Sequence, residues 1–295
     1  MTHIICAGLI AADLVFEIDA PPAKGSKTRA NGSHLITGGG AFNAASAIAS
    51  LGGDVSLVGA IGKDIFGEFL RQKMIDRHIN TQFITEHPDV PTSRSANTIT
   101  PDGDRTIINH RDPRLIPQAF SMPPAFEFDG VLVDTRWPEG AAQIVQAAQN
   151  ACKPAVIDAE APVALASRAL EMASHVVFSE QGLADYAGAS DADALARTAA
   201  SLGCWCAVTR GGLSVLCHDG NSISEVTPPP TTALNTLGAG DVWHGAFTLA
   251  LAQGKQELDA VHWANIAAAQ KVSRPIHNEA YPTRAEVQNA LAALQ

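Results

Sequence analysis

The segment Asn235-Thr236-Leu237-Gly238-Ala239-Gly240-Asp241 has the residue types and spacing for phosphate chemistry. A loop over residues 228–232 precedes it and an apolar run over residues 242–251 follows, so its glycines should open onto the N-terminus of a buried helix. Small residues there let backbone N–H groups face a ligand, and the helix dipole favours an anion. The carboxylate of Asp241, in the first turn, could take a proton from a hydroxyl group that attacks a phosphoryl group. The simpler interpretation is a glycine turn in which Asp241 is only a helix-terminal charge.

A second glycine-rich segment lies near the N-terminus. The residues Gly38-Gly39-Gly40-Ala41-Phe42-Asn43 precede a small-residue stretch over 44–51, which Gly52 ends. This pattern predicts a turn whose backbone can approach a ligand, followed by a closely packed helix. Asn43 could cap that helix, and its amide could also donate to and accept from a substrate hydroxyl group.

Composition limits the classes of protein to consider. With 295 residues, 46% of them hydrophobic, the chain can form one α/β core. A net charge of −10 without a run of lysine or arginine makes nucleic acid or an acidic membrane an unexpected partner. Five cysteines in mostly apolar contexts, no signal-peptide pattern and no apolar run of about 18 residues favour a soluble cytoplasmic protein. The pair Cys204-Trp205-Cys206 lacks a second cysteine or histidine pair nearby that would complete a metal site.

Short β-branched runs alternate with alanine-rich stretches along most of the chain. We expect strands over residues 4–7, 55–58, 130–134, 155–158, 176–178 and 207–209. We expect helices over residues 43–51, 66–77, 140–150, 163–173, 192–202 and 261–272. This alternation predicts a mainly parallel sheet with helices on both faces. Ligands of such sheets bind beyond the carboxyl ends of the strands, where the sequence places the acidic residues Asp13, Asp134, Asp158 and Glu180.

Two segments interrupt this alternation, at about residues 14–36 and 91–112. The second reads as a hairpin in which a Pro101-Asp102-Gly103-Asp104 turn joins strands over 95–100 and 105–110. Neither segment can pair inside a doubly wound sheet without interrupting it. We therefore expect a small β-lid over the edge of the sheet.

The two glycine-rich segments together resemble the two signatures of the PfkB family of carbohydrate kinases, also called the ribokinase-like family. The resemblance extends over essentially the whole chain. It implies a single domain over residues 1–295 with a ribokinase-like three-layer α/β sandwich, in which the lid covers the sugar and forms a homodimer contact. It also implies transfer of the γ-phosphoryl group of ATP to a sugar hydroxyl group, with Mg²⁺ as cofactor.

The resemblance assigns roles to individual residues. Asp241 is the general base, and Gly238, Ala239 and Gly240 offer backbone N–H groups to the charge on the transferred phosphoryl group. Sugar hydroxyl groups would be bound by Asp13, Gly39, Gly40 and Asn43. The nucleotide would contact Ser179, Thr209, Gly211 and Asn265, and Glu180 would bind magnesium through water.

Three positions depart from the common family pattern. The second signature begins with Asn235 instead of aspartate, and Arg274-Pro275-Ile276 stands where an Arg-Pro-Gly-like turn is frequent. Both places contribute to a monovalent-cation site in some members, so the resemblance gives no support for such a cation here. Ser179-Glu180-Gln181-Gly182 replaces an Asn-x-x-Glu motif.

Within the family, the strongest resemblance is to the sulfofructose kinases, which phosphorylate 6-deoxy-6-sulfofructose at its 1-hydroxyl group. It rests on the segments 25–27, 107–109, 133–137 and 178–183. It implies that Lys27, Asn109 and Arg136 hold the sulfonate, a fixed anion suited to an ammonium, an amide and a guanidinium group.

Other substrates and other classes of protein stay open at this stage. A 6-phosphate would suit the same pocket, so fructose 6-phosphate and tagatose 6-phosphate are alternatives, as are neutral fructose or ribose and a nucleoside. A sugar sensor without activity is an alternative of another class, although such a protein would not need Asp241 as a base. A nicotinamide oxidoreductase is disfavoured because the first turn, at residues 8–13, lacks the Gly-x-Gly-x-x-Gly pattern.

Overall fold

A computed structural model describes residues 1–101, 104–117, 120, 123, 126–276 and 279–293. The strands are β1 (His3–Ala7), β2 (Ala11–Glu17), β3 (Gly32–Gly38), β4 (Asp54–Gly62), β5 (Asn80–His87), β6 (Arg94–Ile99), β7 (Arg105–His110), β8 (Gly130–Asp134), β9 (Ala155–Ala159), β10 (His175–Ser179), β11 (Trp205–Thr209), β12 (Val215–His218) and β13 (Ile223–Val226). The helices are α1 (Gly40–Ser50), α2 (Ile65–Asp76), α3 (Pro138–Asn150), α4 (Ser167–Leu170), α5 (Glu180–Ala187), α6 (Ala192–Leu202), α7 (Ala239–Ala252), α8 (Glu257–Val272) and α9 (Arg284–Ala293).

A large, mostly parallel sheet forms the centre of the molecule. Over the described residues it contains nine strands in the order β13-β12-β11-β10-β9-β8-β1-β4-β5. The pairings of β11 with β12 and of β12 with β13 are antiparallel, and the others are parallel. Each of the six predicted strands is present, which confirms the expected α/β fold.

The core has two hydrophobic layers, one on each face of the central sheet, and alternate side chains of the central strands contribute to each layer. In β1, Ile4 and Cys6 belong to one hydrophobic cluster, which also contains residues of α1, α2, α7, α8 and α9. Ile5 and Ala7 belong to the other, which contains residues of α3, α4, α5 and α6. Because successive side chains of a strand point to opposite faces, a fully apolar strand can serve both layers. The result is a sandwich of helices, sheet and helices.

The two segments that interrupt the predicted alternation form a second sheet. Its four strands lie in the order β3-β2-β6-β7 in the described part of the chain. The predicted hairpin is formed by β6 and β7, which pair antiparallel from Arg94 opposite His110 to Ile99 opposite Arg105. Asp102 and Gly103 of the predicted turn lie outside the described residues.

One predicted helix differs from the structure. The expected helix over residues 163–173 is divided into a 3₁₀ turn at Val163–Ala166 and the single α-helical turn α4. The Val163 N–H at the start of this segment donates to the Asp185 carboxylate over 2.8 Å. Strands β5, β12 and β13 and helices α5 and α9 were not predicted from the sequence.

Candidate active site

Asp241 lies in the first turn of α7, next to the glycine loop. Gly238 caps this helix in a left-handed conformation, with φ of 72°, which favours glycine. The Val242 N–H donates to the Gly238 carbonyl over 3.0 Å and closes the first turn. Gly238, Ala239, Gly240 and Asp241 all line one cavity of about 300 Å³. The structure therefore brings the predicted base and the predicted anion loop together at a helix N-terminus.

A chain of hydrogen bonds orients the Asp241 carboxylate. The Asn43 Nδ2 donates to Asp241 Oδ2 over 2.8 Å, and the Tyr281 hydroxyl group donates to Asn43 Oδ1 over 2.9 Å. Burial raises the pKa of Asp241, and the Asn43 hydrogen bond acts in the opposite direction. Asn43 is thus a buried residue of α1 that orients the predicted base. Its side chain does not cap the helix: Gly39 is the N-cap residue, and the backbone N–H of Asn43 donates to the Gly39 carbonyl.

The carboxylates of Asp158 and Asp134 lie near that of Asp241, beside Gly40. A Cβ atom built on Gly40 would lie 3.5 Å from Asp241, 3.7 Å from Asp158 and 3.8 Å from Asp134. Burial raises the pKa of Asp134, whose two oxygens accept the backbone N–H groups of Leu9 and of Arg136. Through these two hydrogen bonds Asp134 fixes the backbone at the carboxyl end of β8 to the backbone that follows β1.

Asp158 faces a buried histidine. His244 Nδ1 lies 2.7 Å from the Gly240 carbonyl, which can only accept, so Nδ1 carries a proton. His244 Nε2 then faces Asp158 Oδ1 at 3.5 Å. Burial raises the pKa of Asp158 to about 7, although the charge of His244 acts against that rise. The carboxyl group of Asp158 is therefore partly protonated near neutral pH, directly beside the proposed base.

Asp13 approaches the same cavity from β2. Its carboxylate accepts a hydrogen bond of 2.6 Å from the Ser95 hydroxyl group of the neighbouring strand β6. Burial raises the pKa of Asp13, and the Ser95 hydrogen bond lowers it. Gly39 and Gly40 lie beside it in the cavity wall. The predicted sugar-binding residues Asp13, Gly39, Gly40 and Asn43 are thus brought together.

Arginine side chains line the part of the cavity under the second sheet. Every second residue along β7 and just beyond its end lines the cavity: Arg105, Ile107, Asn109 and Arg111. Arg136 lines it from the end of β8 and is paired with Glu160 over 2.6 Å. Among the described residues, no carboxylate lies within ion-pair distance of Arg111. Desolvation and the charge of Arg136 lower the pKa of Arg111, as expected for two neighbouring guanidinium groups.

The structure does not bring Lys27 together with the other predicted site residues. The pairing of β2 with β3 runs from Ala11 opposite Gly38 to Glu17 opposite Gly32, so Asp13 lies near the end that faces the cavity. The connection that carries Lys27 leaves the sheet at the opposite end, about 13 Å from Asp13 along the strand at the usual rise. Lys27 is exposed there and does not line the cavity. Arg111 and Arg105, which the sequence reasoning missed, supply positive charge instead. The period of two along β7, applied from Asn109, would have identified both.

Three predicted nucleotide contacts lie at the carboxyl end of the neighbouring strands. Ser179 ends β10 and Thr209 ends β11, and the two are paired across the sheet. Ser179 also caps α5, since its Oγ accepts the Gly182 N–H over 3.0 Å. Gly211 follows in an exposed turn with φ of 58°. These residues lie at the same edge of the sheet as Asp158 and Asp134, farther along toward β12.

The structure places Asn265 inside the core, away from the other predicted nucleotide contacts. This residue is 4% exposed, and its two amide atoms are both engaged. Its Oδ1 accepts from the Trp243 ring nitrogen over 2.8 Å, and its Nδ2 donates to the Val226 carbonyl over 3.2 Å. Asn265 therefore joins α8, α7 and β13 inside the core.

Comparison with known proteins identifies the family. The model of the pfkB family carbohydrate kinases matches residues 1–284. The chain belongs to this family. It is therefore an ATP-dependent sugar kinase with a ribokinase-like fold. The chain is 25% identical to the ribokinase of Bacillus subtilis (strain 168), over 99% of its own length and 100% of that protein.

Solved structures agree with this fold. A crystal structure of a protein from Agrobacterium tumefaciens is 32% identical, with a TM-score of 0.94 over 99% of this chain and 98% of the other. The structure of Arabidopsis thaliana ribokinase complexed with ribose and ATP has a TM-score of 0.82 at 20% identity, over 98% of each chain. In the part of the chain that the structure describes, no helix is long and apolar enough to cross a membrane.

Proposed function

We propose that this kinase phosphorylates a sugar that carries an anionic group, with 6-deoxy-6-sulfofructose, phosphorylated at its 1-hydroxyl group, as the substrate. The observation that supports it is the presence of Arg111 and Arg136 in the same cavity as Asp241. A sulfonate offers three acceptor oxygens, and the planar fork of a guanidinium group matches two of them. Asn109 lines the same wall and can donate a further hydrogen bond.

In this proposal Asp241 takes the proton of the attacking hydroxyl group. Asn43 holds one carboxylate oxygen, Oδ2, which leaves Oδ1 to accept from the substrate. A pKa above the usual aspartate range makes the ionised carboxylate of Asp241 a better base than an exposed one. The N–H groups of the 238–240 loop, at the N-terminus of α7, stabilise the charge on the phosphoryl group as it is transferred.

The nucleotide is proposed to lie along Ser179, Thr209 and Gly211, with its γ-phosphate directed toward Asp241. Magnesium fits this edge because it is commonly bound by one or two carboxylates, several waters and the phosphates. Glu180, an exposed carboxylate at the start of α5, is suited to bind such a metal through water. The metal would neutralise the charge of the phosphates.

The test is ADP release with ATP and magnesium over a panel of sulfofructose, fructose 6-phosphate, tagatose 6-phosphate, fructose, ribose and adenosine. The proposal predicts the highest kcat/KM for sulfofructose. Arg111→Ala should lower kcat/KM for the anionic sugar by about 10- to 100-fold and leave a neutral sugar nearly unchanged. Arg114→Ala is the matched control, because Arg114 is exposed and pairs with Asp112 at 2.6 Å. Equal losses of Arg111→Ala on both sugars would contradict an anion pocket.

A neutral pentose is the second candidate. The similarity to the Bacillus subtilis ribokinase favours it, and Asp13, with its Ser95 partner, can accept from two hydroxyl groups of any sugar. Preference for ribose in the panel would keep the role of Asp241 and remove the anionic substrate. Asp241→Asn should abolish turnover while sugar binding stays measurable by calorimetry. Retained turnover would show that Asp241 is not the base.

We also propose a homodimer through the second sheet. Strands β3 and β7 are its two edges, and exposed edges pair readily with another chain. The side chains of Ile107 and Ile108 on β7 are 49% and 71% exposed. Light scattering should give twice the mass of 30.8 kDa, and Ile108→Lys should return the protein to a monomer. A monomer before the substitution would contradict this proposal.

A further inference from the structure

Lys271 is a buried cation that the function proposed above does not use. It lies in the last turn of α8 and is 7% exposed. Among the described residues, no carboxylate lies within ion-pair distance of its ammonium group, which instead lies 4.9 Å from the centre of the Tyr281 ring. Burial of an ammonium group is unfavourable unless other interactions offset it. Its presence behind the active site therefore requires a physical reason.

The position of Lys271 connects it to the anion loop. It lines a small cavity of about 20 Å³ together with Asn43, Asn235, Gly238 and Tyr281. These are the two ends of the 235–238 loop and the two residues that orient Asp241. The loop is also fixed to the end of α8, because the N–H groups of residues 234 and 235 both donate to the carbonyl of residue 272, at 2.7 and 3.1 Å.

The charges around Lys271 leave an excess of positive charge there. Desolvation and the charges of Arg77 and Arg274 lower the pKa of Lys271, whereas Glu279 and Asp241 raise it. Glu279 is shared with two other cations, since it pairs with Lys73 and lies 3.5 Å from Arg77.

Arg274 is paired separately, with Glu286 over 2.6 Å. The ammonium group of Lys271 is thus left without a carboxylate of its own among the described residues. Glu279, which it shares with those two cations, and Asp241 are the anions that act on it.

We propose that Lys271 is a positioning residue, a built-in cation that holds the 235–238 loop and adds positive potential behind the phosphoryl-transfer site. This inference rests on the role proposed for Asp241 and its loop. Lys271 acts through two routes. Its charge lies behind the backbone N–H groups that face the phosphoryl group, in a buried region where charges act strongly. Its contact with Tyr281 also supports the hydrogen-bond chain from Tyr281 through Asn43 to Asp241.

The first experiment replaces the charge with an apolar side chain of similar length. Lys271→Met should lower kcat by about 10- to 100-fold, with a smaller change in KM for the sugar, because the lost interaction serves the transition state. The acid limb of the kcat profile should also shift to higher pH, since Asp241 loses a nearby cation. Lys255→Met is the matched control: Lys255 lies over the Trp263 ring at 5.8 Å, two residues before α8 begins, and the 16 residues of α8 span about 24 Å. It should change neither quantity.

The second experiment restores the cation. Lys271→Ala enlarges the cavity, and added ammonium or methylammonium should recover at least tenfold in kcat, while the same salts leave the wild-type enzyme unchanged. Sodium chloride at equal ionic strength controls for screening. Folded variants that keep wild-type kcat and the wild-type acid limb would overturn the proposal. Loss of kcat without recovery by either ammonium salt would reduce Lys271 to a packing residue and would also overturn it.

A third measurement does not depend on a neutral variant that folds. Wild-type kcat should fall on the alkaline side as Lys271 loses its proton, and Lys271→Arg, whose charge is permanent, should move that limb to higher pH. An identical alkaline limb in the two proteins would overturn the proposal. A wrong assignment of Asp241 as the base would be detected separately, because Asp241→Asn would then retain turnover whatever the kinetics of the Lys271 variants.

Discussion

Replacement of Asp158 by asparagine should make the folded protein more stable at neutral pH. Asp158 ends β9, is largely buried, and faces His244 Nε2 at 3.5 Å. An asparagine amide has the same shape as the carboxyl group and can donate to that nitrogen. The substitution therefore removes a buried titratable group while it keeps the contact with His244.

The magnitude follows from the pKa of Asp158, which burial raises from 3.8 to about 7. Between these two values the folded protein keeps the proton and the unfolded chain has lost it, so the folded state is weakened as pH rises through this window. A rise of about 3 pH units at about 1.4 kcal/mol each gives about 4 kcal/mol. The stability that Asp158 contributes is thus present below pH 4 and fully lost above pH 7.

The assay is urea unfolding, followed by tryptophan fluorescence, of the wild type and Asp158→Asn at pH 4.5 and pH 8. The variant should gain up to about 4 kcal/mol over the wild type at pH 8 and much less at pH 4.5. Asp64→Asn is a control of opposite sign. Desolvation raises the pKa of Asp64, but hydrogen bonds from Thr92 and Gly67 outweigh it and lower that pKa. Asp64→Asn should therefore be most destabilising at pH 8.

The difference between the two proteins isolates Asp158, because all other groups titrate in both. If the free-energy difference between wild type and Asp158→Asn were the same at pH 4.5 and pH 8, Asp158 would titrate alike in the folded and unfolded states. The reasoning from burial would then be wrong. A variant less stable than the wild type at pH 8 would show that the ionised carboxylate stabilises the fold through His244.

Three further substitutions test how the site is positioned. Asn43→Ala should lower kcat by about 10- to 100-fold with a smaller change in sugar KM, measured by steady-state kinetics, because Asp241 loses its orienting hydrogen bond. Gly39→Ala should destabilise the protein by more than about 1 kcal/mol in urea unfolding, since φ is 88° and the new Cβ would lie 2.3 Å from a backbone carbonyl oxygen. Ser95→Ala should raise sugar KM most strongly at low pH, because loss of the Ser95 hydrogen bond raises the pKa of Asp13 further. A pH-independent change in KM would contradict this last assignment.

The sequence predicted the central strands well because periodicity is a local property. The run at residues 4–7 and the other predicted strands are short, apolar and bounded by turn residues, so the parallel sheet could be expected from them. The divided segment at Val163–Ala166 and α4 was missed because a buried N–H contact with Asp185, 22 residues away, is invisible to local propensity. Strands β12 and β13 are four residues each, too short to give a pattern.

For the candidate site, the sequence identified the chemically important residue types but not which of these residues lie close together in the fold. Asp241 and the glycine loop were identified from contiguous residues that share one local structure. The position of Lys27 outside the cavity could not be predicted, because the path of an exposed connection depends on the register of β2 and β3, which the sequence does not state. The burial of Asn265 could not be predicted, because a polar residue on a helix can have its hydrogen-bond partners inside a core, here Trp243.

The least predictable part of the site is the support of the proposed base. Asp241 is bonded to Asn43, 198 residues away, and Asn43 to Tyr281, 238 residues away. The three residues lie in separate elements, each with its own local sequence pattern: Asp241 at the start of α7, Asn43 in the small-residue helix α1, and Tyr281 in the loop before α9. The packing of α7 against α1 brings Asp241 to Asn43, and the loop before α9 brings Tyr281 to Asn43, so that the three side chains form one hydrogen-bonded chain. A substitution at Tyr281 should therefore act on the reaction through Asn43, although nothing in the sequence around residue 281 indicates a catalytic motif.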